Sequence, residues 1–270
     1  MTDPTRSVAT PLVMGILNVT PDSFFDGGMY LDHDAAIARG RQMLEEGADI
    51  IDVGGESTRP GAAHVEEREE LSRVIPVVEV LATECRVSID TSKQSVARAA
   101  LAAGAFMVND VSASLAPVAA EAGAAFVVMH RKGTPGDMQD NPTYDDVVSE
   151  ICAFLRERAV AAEALGIAEV WIDPGFGFGK TAPHNVEILA RLREIVALGY
   201  PVLVGTSRKT FLGKIAAGAV SSDVPADPVG DRLQGSIASA VWAMSTGVAA
   251  VRAHDVAATA QAARIVGGMG

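Results

Sequence analysis

The chain repeats one local pattern along its length: a short apolar run followed by a longer, alanine-rich amphipathic segment. The short runs are continuous rather than alternating in their apolar character, which is typical of strands buried on both faces of a parallel sheet. Eight strands are predicted, over residues 13–18, 49–53, 87–90, 107–110, 125–129, 170–173, 202–205 and 249–252. Helices are predicted near residues 33–46, 66–83, 93–103, 115–122, 143–165, 184–198, 208–217, 229–246 and 255–266.

Glycines mark the joints between these predicted elements. Six of them follow a helical segment and precede a strand by one to four residues: Gly47, Gly104, Gly123, Gly166, Gly199 and Gly247. A residue at such a helix end commonly adopts a left-handed backbone conformation, which costs glycine little. Eight βα units close into a barrel, and about 250 residues is the usual size. We therefore predict one α/β domain over residues 1–270, a (β/α)8 TIM barrel with its active site at the C-terminal rim. A doubly wound open sheet is the alternative.

The charge balance bears on the partners that the protein can have. Acidic residues number 34 and basic residues 22, so the formal net charge is −12. An acidic surface disfavours nucleic acid and anionic membranes as main partners. No apolar stretch reaches the ~18 residues of a membrane span, and the first ten residues lack a secretory signal. With only two cysteines and no cysteine motif, a cytoplasmic protein is expected.

Every predicted strand is followed by residues that can hydrogen-bond or ionise. They are Asn18, the segment 54–59, Asp90, Asn109 with Asp110, His130, Asp173, the segment 207–209, and Arg252 with His254. In a barrel the C-terminal ends of all strands meet at one rim, where active sites are built. Polar loop starts and helix caps are the alternative explanation for each residue alone. Their occurrence after all eight strands favours a binding site.

The residue types at this rim indicate the kind of ligand. Asp90, Asn109 and Asp173 are short acceptors that suit a flat heterocycle with several N–H donors. Lys209, Arg252 and His254 follow strands 7 and 8, where many barrels bind phosphate. An ion pair of Arg252 with an acid such as Asp255, and a helix-cap role for His254, are the alternatives. The rim predicts a polar heterocycle joined to a phosphate-like group.

Two kinds of glycine-rich segment flank this rim. Residues 173–181 (DPGFGFGKT) look like a P-loop, but Pro174 stands where that motif needs glycine. Here the glycines are expected to let a ligand approach the backbone, with Phe176 or Phe178 as a wall. The loops 20–28 and 54–61 are expected to close over the substrate.

Longer motifs resemble those of one enzyme family. Residues 14–28 (MGILNVTPDSFFDGG) and 52–61 (DVGGESTRPG) are similar to the two signatures of the dihydropteroate synthase family. Similar stretches continue at 88–92 (SIDTS), 108–110 (VND), 129–130 (MH), 173–180 (DPGFGFGK), 205–209 (GTSRK) and 251–256 (VRAHDV). The resemblance extends from about residue 12 to the end of the chain.

The resemblance implies condensation of 6-hydroxymethyl-7,8-dihydropterin diphosphate with 4-aminobenzoate, assisted by Mg²⁺, in folate biosynthesis. It further implies an SN1-like path, sulfonamides as mimics of the amine substrate, and a homodimer. The roles that it implies for individual residues are as follows: Asp90, Asn109, Asp173 and Lys209 bind the pterin; Asn18, Thr58, Arg252 and His254 bind the diphosphate, with Asn18 as the Mg²⁺ ligand; Phe24, Thr58, Arg59, Pro60, Phe178 and Ser207 form the aminobenzoate pocket; and Asn18, Asp90, Lys209, Arg252 and His254 are catalytic.

Three other functions compete with this one. A methyltransferase that takes a methyl group from methyltetrahydrofolate would share the pterin carboxylates, but it has no use for the anion-binding residues. A non-catalytic pterin-binding paralogue is expected to have lost part of the diphosphate clamp, which this chain retains. A metal hydrolase would need a histidine spacing such as HxH or HExxH, and the chain lacks both.

Overall fold

The computed structural model describes residues 10–20, 32–57, 64–134, 136–218 and 232–269. Within these ranges the strands are β1 (Leu12–Asn18), β2 (Ile50–Gly54), β3 (Arg86–Asp90), β4 (Met107–Asp110), β5 (Ala125–Met129), β6 (Val170–Asp173), β7 (Leu203–Val204) and β8 (Ala250–Ala253). The helices are α1 (His33–Glu46), α2 (Glu67–Leu81), α3 (Gln94–Ala102), α4 (Ala116–Ala122), α5 (Val147–Ala164), α6 (Ala182–Ala190), α7 (Leu192–Val196), α8 (Thr210–Ala216), α9 (Leu233–Ser245) and α10 (Val256–Gly267).

The eight strands form one parallel sheet that closes on itself. Its order is β6-β5-β4-β3-β2-β1-β8-β7. The two ends of this order meet at a parallel bridge between Ile172 and Val202, where the Ile172 amide donates to the Pro201 carbonyl at 3.0 Å. The barrel prediction is confirmed. All eight strands lie where they were expected, although β7 is two residues long rather than four.

The interior of the barrel changes from apolar to polar along its axis. Its lower end is filled by apolar side chains, namely Met14, Ile50, Met107, Ala125, Val127, Trp171, Leu203 and Ala250. Since alternate residues of a strand face the same side, the inward residues that follow Ile50, Met107, Trp171 and Ala250 are Asp52, Asn109, Asp173 and Arg252. The polar layer therefore lies directly on the apolar layer, toward the C-terminal rim.

The predicted glycine joints are also confirmed. All six have φ between 65° and 107°, and Gly47 shows the bonding pattern, since its amide donates to the Leu44 carbonyl at 3.0 Å. The segment 184–198 differs from the expected single helix because Arg191, with φ −106° and ψ 18°, separates α6 from α7. Most of the predicted loop 20–28 lies outside the described residues. No helix in the described ranges is long and apolar enough to cross a membrane.

Candidate active site

The polar layer of the barrel brings together side chains from four strands and one loop. Asp90 ends β3, Asn109 lies in β4, Asp173 ends β6, Arg252 lies in β8, and Lys209 follows β7. Asn109 and Asp173 are each 6% exposed. All five were predicted as site residues, and the structure places them at the same rim.

Arg252 is the centre of this group. Its guanidinium donates through Nε to Asp52 Oδ2 at 2.6 Å and through Nη2 to Asp90 Oδ2 at 2.7 Å. The same Asp52 oxygen accepts from Asn109 Nδ2 at 3.0 Å. The two ion pairs thus lie inside the barrel, where they are screened less than a surface pair. The alternative pairing of Arg252 with Asp255 is not observed, because Asp255 accepts from Arg208 at 3.0 Å instead.

Asp52 is the residue that sequence reasoning missed. It stands in the middle of β2, in the sequence IIDVG, and its side chain is fully buried. The signal was one acidic residue inside a strand that is otherwise apolar and buried on both faces, where a charge is rarely found without a partner. The local pattern assigns Asp52 to the strand and gives no sign that it belongs to the site.

Asp173 is held in place by the glycine-rich segment that follows β6. Its Oδ1 accepts from the Gly175 amide at 2.6 Å, and burial raises the pKa of its carboxyl although that hydrogen bond and Lys209 oppose the rise. Gly175 has φ 67°, and a Cβ there would lie 2.0 Å from the His130 carbonyl oxygen. Only glycine fits this position without a shift of the backbone.

Lys209 lies against the same segment. Its Nζ donates to the Phe176 carbonyl at 2.5 Å and lies 4.1 Å from the centre of the Phe178 ring. Burial lowers the pKa of Lys209 to about 8, although Asp173 and Asp90 oppose that shift. Of the two phenylalanines proposed as a wall, Phe176 is 1% exposed and stacks on Phe211, so Phe178 is the one at the site.

Lys180, the lysine of the segment that looked like a P-loop, points away from the substrate side. Its Nζ is 2.9 Å from His130 Nδ1 and donates to the carbonyls of Gly175 and Phe178 at 2.9 and 3.0 Å. Burial lowers its pKa well below the usual range, and burial also lowers the pKa of His130 to about 3. His130 is therefore a neutral acceptor here, which agrees with rejection of the P-loop interpretation.

Ser207 and His254 were assigned to different pockets, yet they are neighbours. Ser207 Oγ accepts from the His254 amide at 3.1 Å and lies 3.1 Å from His254 Nδ1. Asp255 is the N-cap residue of α10, and its side chain makes no capping hydrogen bond. This pair forms the rim between β7 and β8, beside the cationic residues.

Asn18 ends β1, half-buried and in register with Gly54. Within the described ranges no three His, Cys, Asp or Glu side chains are close enough to hold a metal. Mg²⁺ is commonly bound through one or two protein oxygens together with substrate phosphates and water. Asn18 therefore fits an ion that arrives with a diphosphate. Phe24, Thr58, Arg59 and Pro60 lie outside the described residues.

A second buried ionic cluster supports the segment that follows β2, and it was also missed. Lys93 pairs with both Glu56 and Glu70. Glu70 is fully buried and accepts from Thr91 Oγ1 at 2.7 Å, while Glu56 accepts from the Val65 amide at 3.0 Å. The cluster connects residues on the two sides of the segment 58–63, next to the site.

The pKa of Asp90 in the folded protein leads to a measurable prediction. Burial raises the pKa of its carboxyl from an ordinary 3.8 to about 7, although Arg252 opposes this; Asp52, Glu70 and Asp110 add to the rise. Between about pH 4 and pH 7, the folded state therefore keeps a proton that the unfolded state has already released. This contribution is present in full at low pH and is lost as the pH rises through 7.

We expect the slope of the free energy of unfolding between pH 5 and 7 to be more positive in Asp90→Asn than in the unmodified protein, since asparagine does not titrate. Urea unfolding at several pH values measures both slopes. Equal slopes in the two proteins would contradict a raised pKa for Asp90 in the folded state.

The chain is similar to known proteins along most of its length. The family described as pterin binding enzyme matches residues 14–254. The dihydropteroate synthase of Mycobacterium leprae is 47% identical over 270 residues, which cover 97% of this chain and 94% of that protein.

Solved structures agree with this match. The Yersinia pestis dihydropteroate synthase in complex with a sulfonamide drug has a TM-score of 0.87 and 42% identity, covering 100% of this chain and 98% of that chain. The Xanthomonas albilineans dihydropteroate synthase in complex with 7,8-dihydropteroate has a TM-score of 0.83 and 43% identity, covering 96% of this chain and 93% of that chain.

Proposed function

The chain belongs to the dihydropteroate synthase family of pterin-binding enzymes, and we propose that it condenses 6-hydroxymethyl-7,8-dihydropterin diphosphate with 4-aminobenzoate. The products are 7,8-dihydropteroate and diphosphate, so the protein is a transferase. The observation that carries the proposal is the polar layer of the barrel, where acceptors for a heterocycle adjoin cations for an anion. The relatives and the solved structures support the same reaction.

In the proposed complex, the pterin lies in this polar layer. Asp173 and Asn109 accept from the amino and ring N–H groups, and Lys209 donates to the ring carbonyl or nitrogen. A charge-assisted hydrogen bond of this kind contributes roughly 1.5–3 kcal/mol. These three side chains fix the ring so that its exocyclic methylene faces the rim.

At the rim, the diphosphate is bound by Arg252 and His254, next to Ser207. The C–O bond breaks and the electron pair leaves with the diphosphate, so stabilisation of that negative charge is the main catalytic task. Mg²⁺ bound at Asn18 would neutralise part of the charge on the leaving group. Arg252 supplies positive charge on the protein side.

The pterin part carries positive charge as the diphosphate leaves. Asp90 and Asp173 lie beside it, and with Asp52 they place three carboxylates around the two cations Arg252 and Lys209. With these carboxylates ionised, the excess of negative charge favours an SN1-like path. The amine of 4-aminobenzoate then donates its lone pair to the methylene carbon to form the C–N bond, and it releases a proton afterwards. We assign its pocket to Phe178 and Ser207, together with Phe24, Thr58, Arg59 and Pro60, and we expect sulfonamides to compete there.

A coupled assay of diphosphate release tests the reaction. We expect release only when the pterin diphosphate and 4-aminobenzoate are both present, with 7,8-dihydropteroate as the product. Binding of the pterin substrate without release would indicate a non-catalytic pterin-binding protein. Methyl transfer from methyltetrahydrofolate to a corrinoid would indicate the methyltransferase instead.

The metal requirement is tested by the same assay. Treatment with EDTA is expected to abolish turnover, and added Mg²⁺ is expected to restore it. Asn18→Ala is expected to raise the Mg²⁺ concentration for half-maximal activity by about tenfold or more, because the ion loses its protein oxygen. Full activity of the EDTA-treated enzyme would remove Asn18 from this role.

We also propose a homodimer and a cytoplasmic location. Support for a dimer comes from exposed apolar side chains on and after the last two helices, with Trp242 52%, Ile265 59% and Met269 71% exposed. Sedimentation velocity measures the mass in solution. The two cysteines, Cys85 and Cys152, are both free thiols, which fits a reducing compartment.

A further inference from the structure

Asp52 and Ser88 are two polar side chains of the barrel interior. They lie side by side, since β2 and β3 pair in a register that aligns the two residues. Both are fully buried; Ile50 of the apolar layer precedes Asp52 by two positions on β2, and Met107 of that layer pairs with Ser88 across β3 and β4. In the proposed complex, Asp52 itself does not contact the substrate.

Asp52 connects two halves of the proposed site. Its Oδ2 accepts from Arg252 Nε at 2.6 Å and from Asn109 Nδ2 at 3.0 Å. Arg252 belongs to β8 and is assigned to the diphosphate, whereas Asn109 belongs to β4 and is assigned to the pterin. One carboxylate oxygen therefore holds a side chain for each end of the same substrate.

The chemistry of a carboxylate decides how these two side chains are presented. An ionised carboxylate only accepts hydrogen bonds, so Asn109 must turn its NH2 group toward Asp52. Its carbonyl oxygen is then directed to the other side, as an acceptor for a substrate N–H. For Arg252, the bond through Nε fixes the plane of the guanidinium, while Nη2 is held by Asp90.

A further observation separates Asp52 from an ordinary buried ion-pair partner. Within the described residues, its second oxygen, Oδ1, is buried without a hydrogen-bond partner, and so is Ser88 Oγ beside it. A buried carboxylate oxygen without a partner is costly and rare in native proteins. A residue kept only for stability would be better replaced by an apolar side chain of similar size.

We propose that Asp52 is a positioning residue for the transfer reaction, which orients the amide of Asn109 and the guanidinium of Arg252 toward the pterin diphosphate. The proposal rests on the proposed function. It predicts that loss of the carboxylate affects the pterin substrate and leaves the aminobenzoate pocket, which Asp52 does not contact, unaffected.

The test is Asp52→Asn, which keeps the size of the side chain but replaces the charged oxygen that accepts from both Arg252 and Asn109 with the oxygen of a neutral amide. We expect kcat/KM for the pterin diphosphate to fall about 100-fold, with KM for 4-aminobenzoate within about threefold of the unmodified enzyme. Ser88→Ala is the matched control, because it removes a polar atom at the same depth; its kcat/KM is expected to stay within about threefold. Asp52→Ser is measured in parallel in case the asparagine variant does not fold.

The outcomes separate this proposal from the function on which it rests. An equal loss for both substrates, an unchanged kcat/KM in Asp52→Asn, or the same loss in Ser88→Ala would overturn the positioning role. Failure of both Asp52 variants to fold would also overturn it in favour of a structural role. Absence of turnover in the unmodified enzyme with both substrates and Mg²⁺ would instead refute the proposed function.

Discussion

Arg252→Ala is expected to lower kcat/KM for the pterin diphosphate by about a thousandfold and to destabilise the fold by about 3–5 kcal/mol. The substitution leaves Asp52 and Asp90 facing each other inside the barrel without their shared counter-ion. Breaking a buried pair from one side has an energetic cost of this size because the remaining charge is uncompensated. The diphosphate loses its protein cation at the same time.

Binding measurements show how much of the lost affinity belongs to the diphosphate end of the substrate and how much to the pterin end. Calorimetry is expected to show a larger loss of affinity for the pterin diphosphate than for the bare dihydropterin. The dihydropterin should also lose some affinity, since Arg252 lowers the pKa of Asp90 and its removal favours the protonated acid. An equal loss for the two ligands would contradict a role for Arg252 in binding the diphosphate.

Arg208→Ala is the control for that experiment. Arg208 follows the same strand end as Lys209, but its side chain is 44% exposed and pairs with Asp255 outside the polar layer. Exposed ion pairs contribute about 0–1 kcal/mol. We expect little change in unfolding free energy or in kcat/KM. A loss as large as that of Arg252→Ala would mean that removal of any rim arginine disrupts the site.

Lys180→Met is expected to lower the free energy of unfolding by about 3 kcal/mol and to reduce activity. The methionine fills similar space but offers no donor to the carbonyls of Gly175 and Phe178 or to His130 Nδ1, and each buried acceptor left unpaired costs about 1–3 kcal/mol. The glycine-rich segment that Lys180 holds carries the Gly175 amide, which donates to Asp173, and the Phe176 carbonyl, which accepts from Lys209. Loss of the Lys180 hydrogen bonds should therefore raise KM for the pterin substrate.

Urea unfolding measures the free energy of unfolding of Lys180→Met, and steady-state kinetics of the same protein measures its activity and KM. Lys132→Met is the control, since Lys132 is 42% exposed and pairs with Glu150 on the surface. It should unfold within about 1 kcal/mol of the unmodified protein. A Lys180→Met enzyme with normal stability and normal KM would show that the glycine-rich segment holds its shape without this lysine.

Much of the fold could be predicted because its signals are local. Continuous apolar runs identified the strands, and six glycines at helix ends all adopt the positive φ that only glycine takes at little cost. The break at Arg191 could not be predicted, because residues 182–196 carry no proline or glycine within the break and the turn continues a helical bonding pattern. Local sequence there is compatible with one helix or two.

Most of the proposed site could also be predicted, because barrel topology brings the ends of all strands to one rim. Asp90, Asn109, Asp173, Lys209 and Arg252 lie together as expected. Their pairing could not be predicted. From the sequence, several acidic residues were possible partners of Arg252. The one nearest to it in the chain, Asp255, is the partner of Arg208.

The sequence by itself determined the alternation of strands and helices, the glycine joints, the rim residues and the family motifs. These depend on residues that are close together in the chain. Only the tertiary structure decided which charges share a counter-ion: Asp52 and Arg252 are 200 positions apart, and Asp52 and Asn109 are 57 apart. Whether an acid in a strand is a site residue depends on the partner that closure of the barrel brings to it, because a buried charge persists only when it is paired.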